Sequence, residues 1–269
     1  MSLRVGVVGA GGRMGREVCQ AVSVEDDLEL VAAIDPSFGG IHVAELSGVN
    51  SGTGDGELEL PVLPDVAGLV PTEPDVVVDF TRLDAARDNL ELYAANGLHA
   101  VVGTSGFTEA DHKQIAASFT RSNCLIAPNF AIGAVLMIRF AELAAPYFDT
   151  AEIIEFHHNA KVDAPSGTAV STAERMAAAS STWADDPTTS ETLPGARGAT
   201  GPAGIPVHSV RMRGMMAHQE VILGTAGQTL TIRHDSFDRS SFMPGVIMAI
   251  RRIAEVPGLT VGLDGLFDW

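Results

Sequence analysis

The run Leu3-Arg4-Val5-Gly6-Val7-Val8-Gly9-Ala10-Gly11-Gly12-Arg13-Met14-Gly15 decides the fold. Its first six residues are an apolar stretch of buried-strand type. They lead directly into a glycine turn, and a helix follows over about residues 12–22. Strand, glycine turn and helix in that order form the dinucleotide site of doubly wound α/β proteins. There the glycines let the backbone approach a pyrophosphate and aim helix N–H groups at it. Gly9, Gly12 and Gly15 are the glycines that line up. Gly11 is extra, and Met14 stands where the last glycine of the usual fingerprint is written. Gly9, Ala10, Gly11, Gly12, Arg13 and Met14 are therefore candidate cofactor contacts.

The residues that follow repeat the strand–helix alternation. Leu28–Ile34 reads as a second strand and ends at Asp35, twenty residues past Gly15. A carboxylate there takes the adenosine ribose hydroxyls and repels a 2′-phosphate, which argues for NADH over NADPH. Arg13 is placed to reach a phosphate and soften that preference. Residues 39–60 are glycine-rich and acidic and read as a loop, with one helical turn near Val43. Residues 75–81 read as a buried strand and Leu83–Asn96 as an amphipathic helix stopped by Gly97. Residues 99–106 give a strand and a second glycine turn, and a helix runs from about 107 to 119. Residues 123–127 give a further strand, closed by Pro128. Such alternation implies a parallel, doubly wound sheet, whose ligands bind beyond the carboxyl ends of its strands. Asp35, Gly103, Thr104, Ser105, Ala127, Pro128, Asn129 and Phe130 all fall at such ends and join the candidate cofactor contacts.

The second half reads differently. A long apolar helix over residues 132–147 leads to Glu155-Phe156-His157-His158-Asn159-Ala160-Lys161-Val162-Asp163-Ala164-Pro165-Ser166-Gly167-Thr168-Ala169. Only Lys113 and Lys161 are lysines among seventeen basic residues. Arginine holds its proton at any useful pH, whereas lysine can release it, so a lysine beside two histidines points to proton chemistry. Ser166 and Pro165 mark a helix start, and the N–H groups of Gly167 and Thr168 would face an anion such as a carboxylate. Neighbouring strand residues point to opposite faces, so His157 and His158 do not chelate one ion and no metal is expected. Residues 183–204 read as a loop. Three β-like runs follow, at 206–213, 219–224 and 229–235, and suggest an open sheet whose apolar face would join copies of the chain. A helix over 240–253 and a tail over 259–269 complete the chain.

The chain has 269 residues, 46% of them hydrophobic, and a formal net charge of −17. That charge argues against nucleic acid or an anionic membrane as partner. A negatively charged substrate would need a local cationic pocket, which His157, His158 and Lys161 can supply. Cys19 and Cys124 read as free buried thiols of a reducing cytosol. The sequence before Leu3 is too short for a signal region and no apolar run reaches spanning length, so a cytoplasmic protein is expected.

Residues 9–15 together with 155–169 resemble the 4-hydroxy-tetrahydrodipicolinate reductase family, long called dihydrodipicolinate reductase. Gly-Thr-Ser-Gly at 103–106, Ala-Pro-Asn-Phe at 127–130 and the run from His234 to Gly245 support the resemblance. The family works in the diaminopimelate route to lysine. The resemblance implies reduction of 4-hydroxy-tetrahydrodipicolinate, a small cyclic dicarboxylate, by hydride transfer from NADH or NADPH to C4. It implies that His157 and Lys161 exchange protons, that His158 contacts substrate, and that Gly167 and Thr168 cradle a carboxylate. It further implies a Rossmann-type cofactor domain (1–131 and 240–269) and a smaller α+β substrate domain with a mixed sheet (132–239) that assembles a homotetramer. The NADPH-selective pattern has an arginine after the acidic residue, where this chain has Pro36, so dual cofactor use is expected. Two other readings stay open on residues alone: another Rossmann amino-acid or semialdehyde dehydrogenase, and a non-catalytic NADH-binding regulator.

Overall fold

The structure, a computed structural model, describes residues 2–47 and 59–269. Contacts divide the chain into two compact units, Met1–Phe130 with Phe242–Trp269, and Ala131–Ser241.

The first unit begins β1 (Leu3–Val8), α1 (Arg13–Ser23), β2 (Leu28–Ile34), α2 (Val43–Ser47) and β3 (Val62–Leu63). It continues with β4 (Val76–Asp79), α3 (Leu83–Asn96), β5 (His99–Val102), α4 (Glu109–Ser118) and β6 (Cys124–Ile126). The strands are short and almost wholly buried, as continuous Val, Ile and Ala runs require in a sheet covered on both faces. Thr108 caps α4: its hydroxyl accepts from the Asp111 N–H, and the Asp111 side chain reaches back to the Thr108 N–H. Gly97 ends α3 at φ 69°, a left-handed position suited to glycine.

The second unit holds α5 (Ile132–Ala144), β7 (Thr150–His157), α6 (Gly167–Ala179), β8 (Ala199–Thr200), β9 (Pro206–Arg211), β10 (Ala217–Thr225) and β11 (Gln228–Ser236). Its five strands lie in the order β11-β10-β7-β9-β8. β7 runs parallel to β9 while the other pairs are antiparallel, so the sheet is mixed. One face packs Ile153, Val207, Val221 and Leu223 against Met137 and Ala141 of α5 and Ala169, Ala173 and Met176 of α6. The other carries half-buried Ile154, Phe156, Val210 and Ile222.

Chain order then returns to the first unit with α7 (Met243–Arg252) and β12 (Leu259–Val261). β12 pairs parallel to β6 and completes a seven-stranded parallel sheet of order β12-β6-β5-β4-β1-β2-β3. The order reverses beside β1, which lies between β2 and β4. This is the Rossmann arrangement, with its switch point at the glycine turn.

Several expectations need correction. The apolar helix ends at Ala144 and passes into a 3₁₀ turn, Ala145–Tyr147, where Pro146 withdraws a backbone donor. The 240–253 helix is a 3₁₀ turn, Arg239–Phe242, followed by α7. Residues 183–204 are not all loop, because Ala199–Thr200 adds an edge strand. Of the 39–60 loop, residues 48–58 lie outside the described residues.

Candidate active site

In the first unit the carboxyl edge of the sheet gathers the sequence-predicted cofactor residues. Gly9 turns out of β1 at φ 81°, where a Cβ would stand 2.9 Å from the Phe80 carbonyl oxygen. A Cβ on Gly15 would stand 2.0 Å from the Gly9 carbonyl oxygen, so α1 seats against the turn only because that atom is missing. Gly12 caps α1 without a side-chain hydrogen bond. The helix thus presents its positive end through backbone alone, as a pyrophosphate needs. Asp35 leaves β2 with Oδ2 accepting from the Gly11 N–H at 3.0 Å and Oδ1 accepting from the Ser37 N–H at 2.9 Å. Carboxylate and glycine turn are therefore one feature. The Arg16 guanidinium lies 5.3 Å from the centre of the Phe38 ring, beside the same turn. Arg13 and Met14 occupy the first turn of α1, with Arg13 exposed.

The neighbouring strand ends are joined to one another. The Thr104 hydroxyl donates to the Thr81 carbonyl at 2.8 Å. The Phe80 ring fills the space a Cβ on Gly103 would need, and its centroid lies 5.7 Å from that of Phe130. Ser105 is exposed, as is Pro128, and Ala127 is buried at the end of β6. The polypeptide thus offers a glycine cradle, a helix end without a side-chain cap and a carboxylate at the end of β2, a set that fits a nicotinamide dinucleotide.

In the second unit the carboxyl end of β7 holds the other group. His157 is the last residue of β7; its side chain is 17% exposed, and Nδ1 lies 2.5 Å from Glu155 Oε2. Burial pushes the imidazole below its ordinary value, Glu155 raises it, and Lys161 and Arg211 push it down further. His158 follows the strand and is exposed. The Lys161 ammonium is held by Asp163, with Nζ 2.8 and 2.7 Å from the two carboxylate oxygens. A cis peptide joins Ala164 to Pro165 just before α6. Ser166 caps α6, its Oγ accepting from the Ala169 N–H at 3.2 Å. Gly167 is exposed, and a Cβ there would meet nothing within 4 Å. Neither packing nor a positive φ demands glycine at this position. Thr168 follows in the same turn. His157, Lys161, His158, Gly167 and Thr168 thus all lie at one end of β7 and the head of α6.

Three partners here escaped the sequence. Glu155 is fully buried and Arg211 grips both its oxygens at 2.8 Å, while Asp163 holds Lys161. Glu155 shares strand parity with the buried Ala151 and Ile153, so a carboxyl on the inward face was a readable signal. Arg211 gave none, because its place depends on the β7–β9 register. Among the described residues no group of three or more His, Cys, Asp or Glu side chains could hold a metal ion. No helix among them is long and apolar enough to cross a membrane.

Residues 3–130 match the family model described as dihydrodipicolinate reductase, N-terminus, and residues 133–266 match its C-terminus counterpart. A 4-hydroxy-tetrahydrodipicolinate reductase of Mycobacterium sp. (strain KMS) is 48% identical over 270 residues, covering 99% of either chain. That of Corynebacterium urealyticum is 47% identical over 268 residues, covering 97% of either chain. Among solved structures, a dipicolinate-bound dihydrodipicolinate reductase from Paenisporosarcina sp. TG-14 superposes with a TM-score of 0.85 at 40% identity, over 99% of this chain and 100% of that one.

Proposed function

Since the chain belongs to the dihydrodipicolinate reductase family, we propose how its own residues carry the reduction of 4-hydroxy-tetrahydrodipicolinate. It is a nicotinamide-dependent oxidoreductase of the diaminopimelate route to lysine. In the net reaction a hydride reaches C4, one proton is consumed and the 4-hydroxyl leaves as water. The nicotinamide, when bound, supplies the hydride.

The observation that carries the proposal is the meeting of His157, Lys161 and the head of α6 in one unit. One substrate carboxylate is received at Gly167 and Thr168, where the helix end favours negative charge. His158 adds a second polar contact on the exposed side. Lys161, held in place by Asp163, and His157 provide the protons that help the 4-hydroxyl depart or quench the ring carbon. The glycine turn, Asp35, residues 103–105 and residues 127–130 hold the cofactor. Asp35 and the absence of a cation at Pro36 favour NADH. Arg13 and Arg16 flank the turn and make NADPH usable as well. The half-buried apolar face of the mixed sheet, with Ile154, Phe156, Val210 and Ile222, supports assembly of copies into a homotetramer. Cys124, which a thiol-dependent semialdehyde dehydrogenase would need as a nucleophile, is fully buried, and burial pushes its thiol well up.

The test follows loss of NADH, then NADPH, with substrate generated in situ from pyruvate and aspartate semialdehyde by the preceding synthase. Oxidation should depend on the synthase and run faster with NADH. Lys161→Ala should lower kcat by about 10²–10⁴-fold, the range general acid–base groups supply, with NADH affinity unchanged. Equal losses in both would remove Lys161 from the chemistry.

A further inference from the structure

We propose that Glu155, clamped by Arg211, is a positioning residue for the reaction, fixing His157 as the Nδ1–H tautomer so that protons enter and leave through Nε2 alone. Glu155 and His157 lie two apart on β7 and so point to the same face of the sheet. His157 pairs with Arg211 in the β7–β9 ladder, which sends the guanidinium to that face too. Five donor contacts, one of them from the Ser209 side chain, then converge on one buried carboxylate. Oε2 takes His157 Nδ1–H at 2.5 Å and Arg211 Nη1 at 2.8 Å. Oε1 takes Arg211 Nη2 at 2.8 Å and the Ser166 N–H at 3.2 Å.

An ionised carboxylate can only accept, and its lone-pair sites are filled by these contacts. The bidentate arginine keeps it ionised, and the Glu155 carboxyl indeed lies below its usual range despite burial. Nδ1 of His157 must then be the donor, so the neutral ring presents a bare Nε2. On protonation Nε2 gains the proton, Nδ1 keeps its own, and Glu155 remains an anion throughout. Arg211 also donates from Nη2 to the Asp163 carbonyl at 2.7 Å, next to the carboxylate that holds Lys161. One buried pair thereby sets the proton-carrying atom of His157 and ties down the loop bearing Lys161. Buried ion pairs seldom add stability over apolar residues of the same size, so its presence here points to a positional role.

This rests on His157 being a proton carrier, and the test separates the two ideas. Glu155→Gln is the first variant. Arg211 Nη2 and the Ser166 N–H both face the Oε1 position and will claim the amide oxygen. The NH₂ group then takes the Oε2 place, from which Arg211 Nη1 must draw back; it donates to His157 Nδ1 and moves the ring proton to Nε2. In full-length ¹⁵N-histidine-labelled protein, the long-range ¹H–¹⁵N spectrum should show His157 as the Nδ1–H form in wild type and as the Nε2–H form in the variant. The charged groups facing His157 are Glu155 on its own strand, Arg211 on β9 and Lys161 on the loop; its β10 partner is Ala217. Removing the one anion should therefore move the His157 titration to lower pH. kcat should fall about 10²-fold, within the span of general acid–base effects, with KM changed far less. Glu155→Asp retains the charge but draws it back by one methylene. It should leave His157 titrating nearer the wild-type value and recover part of kcat, and it serves if the glutamine variant does not fold. An unchanged tautomer and titration in both variants would overturn the positioning role. A switched tautomer with kcat untouched would leave that role standing and instead remove His157 from the proton chemistry.

Discussion

A single buried carboxyl group shows how residue-level chemistry builds the cofactor edge. Asp79 is fully buried at the end of β4. Its Oδ1 accepts from the Thr81 N–H at 2.9 Å and the Thr81 hydroxyl at 2.6 Å. Its Oδ2 accepts from Asn89 at 2.9 Å and the Tyr93 hydroxyl at 2.8 Å. These donors anchor Thr81, whose carbonyl in turn receives the hydroxyl of Thr104 in the turn after β5. Asp79→Asn would turn an amide NH₂ toward donors that need an acceptor. Unmatched buried polar groups cost about 1–3 kcal/mol each, so a loss of roughly 2–4 kcal/mol is expected. Urea unfolding of the two proteins measures it. A variant within about 0.5 kcal/mol of wild type, the usual effect of a neutral surface change, would show that the network relaxes freely. The sequence marks Asp79 only as one residue of the 75–81 strand, whereas in the structure it ends β4. Its partners lie ten and fourteen residues on, along α3, and one face of that helix brings them back.

At the scale of elements, the glycine turn and α1 act as one part. The Gly15 position has no room for a side chain, since a Cβ would sit 2.0 Å from the backbone oxygen of Gly9. Gly15→Ala must push α1 away from the turn. Overpacking of this kind costs about 1–3 kcal/mol, and it displaces the helix end proposed to receive the pyrophosphate. The melting midpoint should fall, and NADH affinity, followed by fluorescence titration, should weaken about tenfold or more, since each 1.4 kcal/mol is a factor of ten. Unchanged affinity would mean that α1 does not seat the cofactor. Elements such as these were legible because their physics is local. A glycine turn after a Val run and a helix stopped by Gly97 each declare themselves within a few residues. Two-residue strands such as Val62–Leu63 and Ala199–Thr200 are too short to show a period. The 3₁₀ turn Val66–Thr72 carries Pro71, which hides any helical pattern. The pairing of β7 with β9 spans a helix and two further elements, and that non-local register is what delivers Arg211 to Glu155.

For the molecule as a whole, the decisive balance is between its charge and its partly buried histidines. The net charge of −17 means that lowering the pH relieves self-repulsion, which by itself would stabilise the fold. Three of the eight histidines work the other way. His99, His157 and His234 all lie below the ordinary histidine value, chiefly because burial disfavours the charged ring. A folded-state value below the unfolded one means that the unfolded chain takes up protons first as the pH falls. The stability these groups contribute is fully present above about 6.5, the unfolded value, and is lost as the pH drops through the folded values. Carboxylates held low, among them Glu155, Asp163 and Asp235, act in the same sense but only below about 4. Self-repulsion is a long-range effect and salt weakens it; at about 0.15 M the screening length is about 8 Å. Partly buried rings in fixed contacts are screened much less. Calorimetry at that salt should therefore show the melting midpoint falling between pH 7.5 and 5.5, well before carboxylates titrate. Repeating the scan at about 0.01 M, where repulsion extends over a screening length of about 30 Å, should flatten the fall, because the relief of repulsion then offsets more of it. A midpoint that rises toward pH 5.5 at the higher salt would mean that net charge, and not the partly buried rings, governs the acid side of this protein.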